Sequence, residues 1–245
     1  MKIYGITYGS HRFSNRCKVL TEKAKETGLF NSFDYVTEND LDDNFKHIFG
    51  KILNLPRGGG YWIWKPYIIL DKLIKMDDNE ILFYVDAGCS FNINPESTKR
   101  FHEYIEMVNK SEYGLLRFEL PELYERDYTN KKTFEYFQNK YDRLNITDDI
   151  YNNKYQLMAT VFIMRKTKFV MNFFQIVLSI LCDNPILFTD IYNENIIHHR
   201  HDQSVMSLLY RHMGGNLIIS DETYFKDGFN SEESKKYPIW ATRQT

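Results

Sequence analysis

Apolar residues along the chain form two patterns that alternate with each other. Short apolar runs predict β-strands, and longer segments with an apolar residue at every third or fourth position predict amphipathic helices. The predicted strands are residues 2–8, 33–36, 81–85, 113–118 and 156–164, and the apolar faces of the predicted helices fall within residues 13–24, 41–52, 69–76, 95–108, 168–182 and 205–209. Because strands and helices alternate, the pattern favours an α/β domain with a mostly parallel central sheet and helices on both faces.

The run from Ile81 to Val85 is apolar at every position, as expected of a strand that is buried on both faces of a sheet. It ends at Asp86, which is followed by the small residues Ala87 and Gly88. Ligands of open α/β sheets bind outside the carboxyl ends of the strands. Asp86 is therefore a candidate ligand-binding carboxylate with room for a bulky ligand beside it. A plain turn is the alternative interpretation, since aspartate and glycine are ordinary turn residues.

Composition narrows the class of protein. A chain of 245 residues is long enough for one domain with a substantial core and no disulfides, so we predict a single domain over residues 1–245. A net charge of −2 gives no general attraction to nucleic acid. The three cysteines lack metal-like spacing, which indicates a reducing compartment. With neither a signal peptide nor an apolar segment long enough to span a bilayer, the expected location is cytoplasmic.

Three blocks of sequence carry a resemblance to a known family. They are GGGYWIWKP at residues 58–66, FYVDAG at residues 83–88 and HRHDQSVMSLL at residues 199–209. Together they resemble the small GT-A-type glycosyltransferases of large DNA viruses and of bacterial polysaccharide gene clusters. The resemblance implies a GT-A-like, Rossmann-like α/β fold. It also implies transfer of a sugar from a nucleoside-diphosphate sugar to a hydroxyl group of a glycan or glycoprotein acceptor.

The resemblance further implies a divalent metal. In GT-A enzymes the residues after the central strand are typically Asp-X-Asp, which holds Mn²⁺ or Mg²⁺ together with the sugar nucleotide. Asp86 matches the first aspartate, and Gly88 stands in place of the second. A metal at Asp86 would stabilise the negative charge on the departing diphosphate. Without a metal, Lys65, Arg12 and His201 would have to supply that stabilisation.

In the resembling enzymes the donor nucleotide binds at the end of the first strand. The matching positions here are Thr7, Tyr8, Gly9, Ser10 and Arg12, and the implied donor site is completed by Trp64, Lys65, Asp86, Ala87 and Gly88. Ser10 also suits the N-cap of the helix that follows it, because its hydroxyl can accept a bond from a free backbone N–H.

The glycine-rich block also has alternative interpretations. Glycines 58–60 lack Cβ atoms, so the backbone there can adopt positive φ or approach a ligand closely. Trp62 and Trp64 can stack on a sugar ring or pack into the core. Lys65 lies near the start of a predicted helix, where the helix dipole disfavours a cation. We therefore expect an anion beside it, either the diphosphate of a ligand or a neighbouring carboxylate.

The densest polar cluster is HHRHDQ at residues 198–203. Asp202 directly precedes a predicted helix and suits its N-cap. The enzymatic interpretation is that Asp202 orients or deprotonates an acceptor hydroxyl, while His201 contacts the donor phosphates or a metal. A helix N-terminus favours a charged carboxylate, so we expect the pKa of Asp202 to be lowered.

Two other functions are compatible with the sequence. One is a metal-dependent phosphoesterase that uses His199, His201 and Asp202 together with Asp86, since imidazole and carboxylate groups suit zinc or manganese. The other is a non-catalytic module that binds sugar nucleotides or glycans.

Residues 119–137 are polar, charged and aromatic without a clear period until about Thr133, which predicts an excursion on the surface. Long loops of this kind are often functional. We assign the segment to acceptor recognition, with Arg117, Glu119 and Arg126 as candidate contacts.

Overall fold

The computed structural model describes residues 1–10, 13–143, 145–191 and 196–243. Its strands are β1 (Ile3–Tyr8), β2 (Ser32–Val36), β3 (Ile81–Val85), β4 (Ser90–Phe91), β5 (Leu115–Tyr124), β6 (Tyr155–Leu157), β7 (Val161–Arg165), β8 (Ile218–Ser220) and β9 (Ile239–Trp240). Its helices are α1 (Ser14–Glu26), α2 (Asp43–Leu53), α3 (Gly58–Tyr61), α4 (Trp64–Lys75), α5 (Pro95–Lys110), α6 (Glu125–Tyr128), α7 (Lys131–Lys140), α8 (Thr147–Asn153), α9 (Lys168–Asp183), α10 (Asp202–His212) and α11 (Glu232–Lys235).

The main sheet has the strand order β2-β1-β3-β7-β5-β6, and β8 pairs with β5. Strands β1 and β2 run parallel to β3, whereas β7 runs antiparallel to both β3 and β5. It follows that β1, β2, β3, β5 and β8 point in one direction and that β6 and β7 point in the other. The predicted α/β class with a mostly parallel sheet is confirmed.

Strand β3 is buried at all its positions and divides its side chains between two cores. Leu82 and Tyr84 join a core on one face of the sheet, with apolar residues of α2, α4, α7, α9 and α10. Phe83 joins the core on the other face, with residues of α1 and α5, and its ring stacks on Phe101 at a centroid distance of 4.7 Å. The prediction of helices on both faces is therefore confirmed.

Two of the predicted apolar faces are wrong in detail. Ile48 of α2 is 64% exposed and Ile74 of α4 is 60% exposed. The buried stripe of α2 consists of Phe45 and Phe49, which lie four residues apart and therefore on one face of a helix. Two phenylalanines bury more apolar area than Ile48 would, so α2 turns that face inward.

The predicted surface excursion is also wrong. Strand β5 continues to Tyr124, and α6 and α7 follow it. Glu125, Thr129 and Asn130 are buried, and non-local partners bond the side chains of Glu125 and Thr129. One such partner is Gln156, whose side-chain amide donates to Glu125 at 3.2 Å and to Thr129 at 3.0 Å.

The predicted strand at residues 156–164 is divided into β6 and β7. The break between them contains Ala159, whose backbone N–H and C=O both leave the strand ladder to bond side chains.

The C-terminal segment returns to the same end of the sheet. Strand β9 pairs with β4, and the hydroxyl of Thr242 donates to the carbonyl of Gly88 at 2.8 Å.

A bilayer-spanning helix would need a long apolar stretch. None of the helices within the described ranges has the length and hydropathy for it.

Candidate active site

Three charged side chains meet just beyond the carboxyl end of β3. Lys65 places its Nζ 3.3 Å from Oδ1 of Asp86 and 2.9 Å from Oδ2 of Asp202. The same Nζ donates to the backbone carbonyl of Ala159 at 2.9 Å. The ammonium therefore makes one hydrogen bond to the backbone and two ion pairs with carboxylates. Lys65 is only 2% exposed, so the protein itself supplies the anion that was expected beside it.

The fold explains why residues so distant in sequence meet. Asp86 follows the central strand, Lys65 is the second residue of α4, and Asp202 is the first residue of α10. Both helices pack into the core on the same face of the sheet, which brings their N-terminal ends to the carboxyl end of β3. This is the edge where α/β sheets bind ligands.

Asp202 is not the N-cap of α10, so that interpretation is wrong. The residue before the helix is His201, whose backbone is in an unusual conformation with φ 53° and ψ −119°. Asp202 is the first helical residue, and its carboxylate is directed to Lys65 instead of to the helix backbone. The attraction of a buried ammonium at 2.9 Å outweighs what a helix cap would contribute.

Burial raises the pKa of Asp202 to about 6, although Lys65 acts to lower it. The prediction that the helix N-terminus lowers the pKa of Asp202 is therefore wrong. Removing the carboxylate from water destabilises its charged form more than the helix dipole stabilises it. For Lys65, burial acts to lower the pKa, but the charges of Asp202 and Asp86 more than compensate and the pKa is raised. The pair thus favours a charged lysine next to a carboxyl that titrates near neutral pH.

Asp86 is the more accessible of the two carboxylates. Its side chain is 27% exposed, against 5% for Asp202. The hydroxyl of Tyr84 donates to Oδ1 of Asp86 at 2.5 Å, so Tyr84 and Lys65 share one carboxylate oxygen. The protein therefore orients Asp86 through Oδ1 while the group stays open to a ligand. Ala87 and Gly88 follow it in the turn, where the backbone N–H of Cys89 bonds the carbonyl of Asp86.

The end of β1 lies against the glycine-rich loop. Tyr8 stacks on Trp64 with ring centroids 3.7 Å apart, and the indole N–H of Trp64 donates to the carbonyl of Gly58 at 3.0 Å. Both rings are 4% exposed, so Trp64 packs into the core. Gly59 has φ 58°, and a Cβ there would lie 3.0 Å from the hydroxyl oxygen of Ser10. The glycines adopt the positive φ values that the sequence suggested and allow this close approach.

The other predicted donor-site residues at the end of β1 differ in exposure. Thr7 is fully buried, and the backbone N–H of Gly9 donates to the carbonyl of Val36 at 3.1 Å. Ser10 is half-buried, and it does not cap α1, because the residue before that helix is Phe13. Arg12 lies outside the described residues.

His201 is held by a carboxylate outside the lysine cluster. Its Nε2 lies 2.9 Å from Oδ1 of Asp190, and Arg57 binds Oδ2 of the same carboxylate at 3.1 Å. The rings of Tyr61 and Trp62 lie 4.9 Å and 5.5 Å from the imidazole. Burial lowers the pKa of His201 to about 3, so its ring is neutral at pH 7. It orders the glycine-rich loop next to Asp202.

His199 is fully buried and bonded at both ring nitrogens. Its Nδ1 accepts from the backbone N–H of Asn130 at 3.3 Å, and its Nε2 lies 2.8 Å from the carbonyl of Leu187. Burial lowers its pKa to about 4. Within the part of the chain that the structure covers, no three His, Cys, Asp or Glu residues are grouped so as to hold a metal ion. The ligand set of the phosphoesterase alternative is therefore not assembled.

Comparison with solved structures identifies the fold. A glycosyltransferase involved in the glycosylation of the major capsid of PBCV-1 matches 100% of this chain and 95% of its own, at 12% sequence identity and a TM-score of 0.54. This chain has a GT-A-like fold. No protein-family model matches the sequence, and no curated protein matches it.

Other structural matches are more distant. Mouse xyloside xylosyltransferase 1 matches 91% of this chain and 87% of its own, at 9% identity and a TM-score of 0.49. The galactosyltransferase LgtC, solved with donor and acceptor sugar analogues, matches 91% and 75%, at 10% identity and a TM-score of 0.46. At 12% identity the match with the PBCV-1 glycosyltransferase establishes the fold alone, so the roles of individual residues depend on the geometry of the site.

The divalent ion that the GT-A resemblance implies does not fit this donor set. A magnesium ion requires near-octahedral oxygen ligands at about 2.0–2.1 Å. Here the carboxylates of Asp86 and Asp202 converge on the ammonium of Lys65, with Gly88 in the position of a second aspartate. A cation already lies where these two carboxylates meet.

Two residues outside the predicted site, Gln203 and Ala159, extend the site of this GT-A-like domain. Gln203 accepts from the backbone N–H of Ala159 at 3.2 Å and donates to the side chain of Gln156 at 2.6 Å. Its position next to Asp202 in the HDQS block was the only available hint. Ala159 is bonded on one side by Gln203 and on the other by Lys65, which fixes the break between β6 and β7 against the two carboxylates.

Two arginines belong to segments next to the carboxylates. Arg16 of α1 donates to the carbonyl of Cys89 at 3.3 Å, just after Asp86. Arg200 lies two residues before Asp202, with its guanidinium 5.0 Å from the ring of Tyr128. The Nε of Arg200, like that of Arg16, is buried without a hydrogen-bond partner among the residues described. Such a group is available to an anionic ligand.

The candidate acceptor contacts have structural partners. Arg117 is fully buried and donates to the carbonyl of Met158 at 2.9 Å, and burial lowers its pKa to about 9. Glu119 pairs with Arg211 at 2.8 Å. Arg126 bonds the carbonyl of Asn152. The prediction of a surface loop is wrong, because these residues belong to β5 and α6, but only Arg117 is buried, and the side chains of Glu119 and Arg126 stay 31% and 38% exposed.

Proposed function

We propose that this protein is a glycosyltransferase that moves a sugar from a nucleoside-diphosphate sugar to a hydroxyl of a glycan or glycoprotein acceptor. One observation carries the proposal. Two carboxylates from distant parts of the chain are held together at the carboxyl end of the central strand, and one of them is open to a ligand. The GT-A-like fold supports the same reaction class.

The donor is proposed to bind between the end of β1, the glycine-rich loop and the turn after β3. Ser10, Gly59 and Gly88 are all partly exposed there, and the two glycines carry no side chain that would separate a diphosphate from their backbone. The partly exposed carboxylate of Asp86 accepts hydrogen bonds from sugar hydroxyls. Charge stabilisation of a departing diphosphate is a large contribution in such reactions, and Arg200, with its unpartnered Nε, is the proposed source.

Asp202 is proposed to orient the acceptor hydroxyl or to take its proton. A pKa of about 6 suits a general base that works near neutral pH better than an ordinary aspartate does. In the transfer, a bond forms between the acceptor oxygen and the anomeric carbon, and the bond between that carbon and the diphosphate oxygen breaks. The hydroxyl proton leaves to a base, and the nucleoside diphosphate departs with the electron pair of the broken bond.

A screen with sugar nucleotides tests the proposal. Thermal unfolding is measured with UDP, GDP, CMP and dTDP, because a ligand that binds only the folded state raises the melting temperature by mass action. The corresponding sugar nucleotides are then supplied with glycan acceptors, and release of the nucleotide and labelling of the acceptor are followed. We expect one nucleotide class to stabilise the protein and its sugar to be transferred. Absence of any shift and of any transfer contradicts the proposal, whereas binding without transfer favours the non-catalytic module.

A further inference from the structure

We propose that the ammonium of Lys65 is the resident cation of this site, and that sugar transfer here proceeds without a bound divalent metal. The observation behind this is the position of Nζ, which contacts Asp86, Asp202 and the carbonyl of Ala159 at 3.3, 2.9 and 2.9 Å. The statement about sugar transfer rests on the proposed function. The statement that no divalent metal binds beside Lys65 does not.

The site offers too few oxygen ligands for a second cation, since no three His, Cys, Asp or Glu residues among those described are grouped to hold a metal ion. Hard divalent ions need about six oxygen ligands in a regular arrangement. Oδ1 of Asp86 is already shared by Lys65 and the hydroxyl of Tyr84, and Asp202 is 3% exposed. Gly88, in the position of the second aspartate, contributes only its carbonyl, which accepts from Thr242. An ion bound by both carboxylates would have to compete with Lys65 for Oδ1 of Asp86 and Oδ2 of Asp202.

Lys65 is held firmly beside the carboxylate oxygens of Asp86 and Asp202. Its side chain is 2% exposed, and the rings of Trp64 and Tyr84 lie 5.9 Å and 5.3 Å from Nζ, at distances that favour a cation. Trp64 is itself fixed between Tyr8 and the glycine-rich loop. Displacing the ammonium would therefore disturb its packing against these rings. A divalent ion placed beside it would also be repelled by its charge.

A fixed lysine accomplishes part of what a metal does. It neutralises the repulsion between two carboxylates and orients both of them. Its Nζ is buried among the two carboxylates and the carbonyl of Ala159, which directs its charge to these groups and not to the phosphates of a donor. The charge that develops on the diphosphate is consequently left to the arginines, of which Arg200 has an unpartnered Nε among the described residues.

Binding of Mn²⁺ to the purified protein tests the inference without any sugar transfer. The paramagnetic resonance signal of free aqueous Mn²⁺ is titrated against the wild-type protein alone, and then with UDP or GDP, with Asp86→Asn as the reference for binding that depends on Asp86. We expect no stoichiometric Mn²⁺ binding that depends on Asp86 in either condition. Stoichiometric binding that is lost in Asp86→Asn would overturn the inference, whether or not a nucleotide is needed for it.

Removing the lysine charge provides the complementary test. Lys65→Gln should release both carboxylates and increase Mn²⁺ affinity at least about tenfold over the wild-type protein. The matched control is Lys72→Gln, on the same helix, where Nζ lies 2.7 Å from Asp34 at the surface. A folded Lys65→Gln protein that binds no more Mn²⁺ than the control would contradict a cation position at Lys65. The wild-type titration decides the inference even if this variant does not fold.

Activity distinguishes this inference from the proposed function. With a donor and acceptor identified, the transfer rate should change less than twofold on addition of EDTA, and restored dependence on Mn²⁺ after chelation would overturn the inference. If no donor supports transfer, the proposed function is contradicted. The Mn²⁺ titration still tests whether a metal binds beside Lys65, because it needs no sugar transfer.

Discussion

At the scale of single residues, the site depends on how differently one fold treats two aspartates. Asp86 is partly open to solvent, whereas Asp202 is buried against Lys65 and has a raised pKa of about 6. The sequence identified both residues and the lysine. It could not show that they pair with each other, because the contacts join parts of the chain that only the sheet brings together. The mistaken cap at Asp202 has the same origin, since a partner distant in sequence replaced a local one.

Removal of the lysine charge should be costly to the fold. Lys65→Met leaves a buried carboxylate and a partly buried one without their cation, and breaking a buried pair in this way costs about 3–5 kcal/mol. Lys72→Met, on the same helix, removes a surface pair and should cost about 0–1 kcal/mol. The free energy of unfolding in urea measures both. Equal values for the two variants would show that the cluster contributes no more than a surface pair.

The raised pKa of Asp202 predicts an acidic limb in the pH profile. Above about pH 6 the carboxylate is ionised and can accept a proton, and below that value the protonated form cannot. Transfer, as kcat/KM, should therefore fall by about tenfold per pH unit below the pKa. The profile is measured with the identified donor at saturating acceptor. A rate that stays level down to pH 4.5, where the fold is shown to be intact, excludes Asp202 as the base.

At the scale of elements, strands and helices with a strong local period were predictable, and segments with distant partners were not. The uniform apolar run of β3 and the helical spacing in α9 specify those elements locally. Residues 119–137 looked like a surface loop, because the partners of Glu125 and Thr129 come from Gln156 and Ser207, far along the chain. The division of β6 from β7 was equally invisible, since Ala159 leaves the ladder only to meet Lys65 and Gln203.

The glycine-rich loop offers a test at this scale. Gly60 has φ 94°, and a Cβ there would lie 2.6 Å from the Cα of Leu53. Gly28 also has a positive φ, of 69°, but a Cβ there meets nothing within 4 Å. Gly28→Ala should cost about 1–2 kcal/mol from the left-handed conformation alone. Gly60→Ala should cost at least about 1 kcal/mol more, because backbone must move.

The comparison is made by urea unfolding of the two alanine variants under identical conditions. If Gly28→Ala and Gly60→Ala lower the free energy of unfolding equally, the close packing of the glycine-rich loop on α2 does not require a glycine at position 60.

At the scale of the whole molecule, one sheet serves two cores and one site. Strand β3 places Leu82 and Tyr84 in the core of one face and Phe83 in the core of the other. Its end carries Asp86, which both helical layers and the C-terminal segment surround. Because the cores share their central strand, neither can lose its packing while the other stays intact.

This shared strand predicts a single cooperative transition over residues 1–245. Unfolding in urea followed by tryptophan fluorescence and by far-ultraviolet circular dichroism should give coincident curves. The three tryptophans make this informative, since Trp62 and Trp64 lie beside the active site and Trp240 lies in β9. Two separated transitions would indicate that the two faces of the sheet are independent units.

The most direct test compares Asp86→Asn with Asp34→Asn. Both changes replace an aspartate that contacts a lysine, but Asp34 lies on β2 at the surface, with its carboxylate 2.7 Å from Lys72. With the sugar nucleotide that stabilises the wild-type protein, the rate of sugar transfer should fall at least about a hundredfold in Asp86→Asn and less than twofold in Asp34→Asn, which corresponds to about 2.7 kcal/mol or more of lost transition-state stabilisation. A folded Asp86→Asn protein that transfers sugar as fast as Asp34→Asn would contradict a catalytic site at the end of β3.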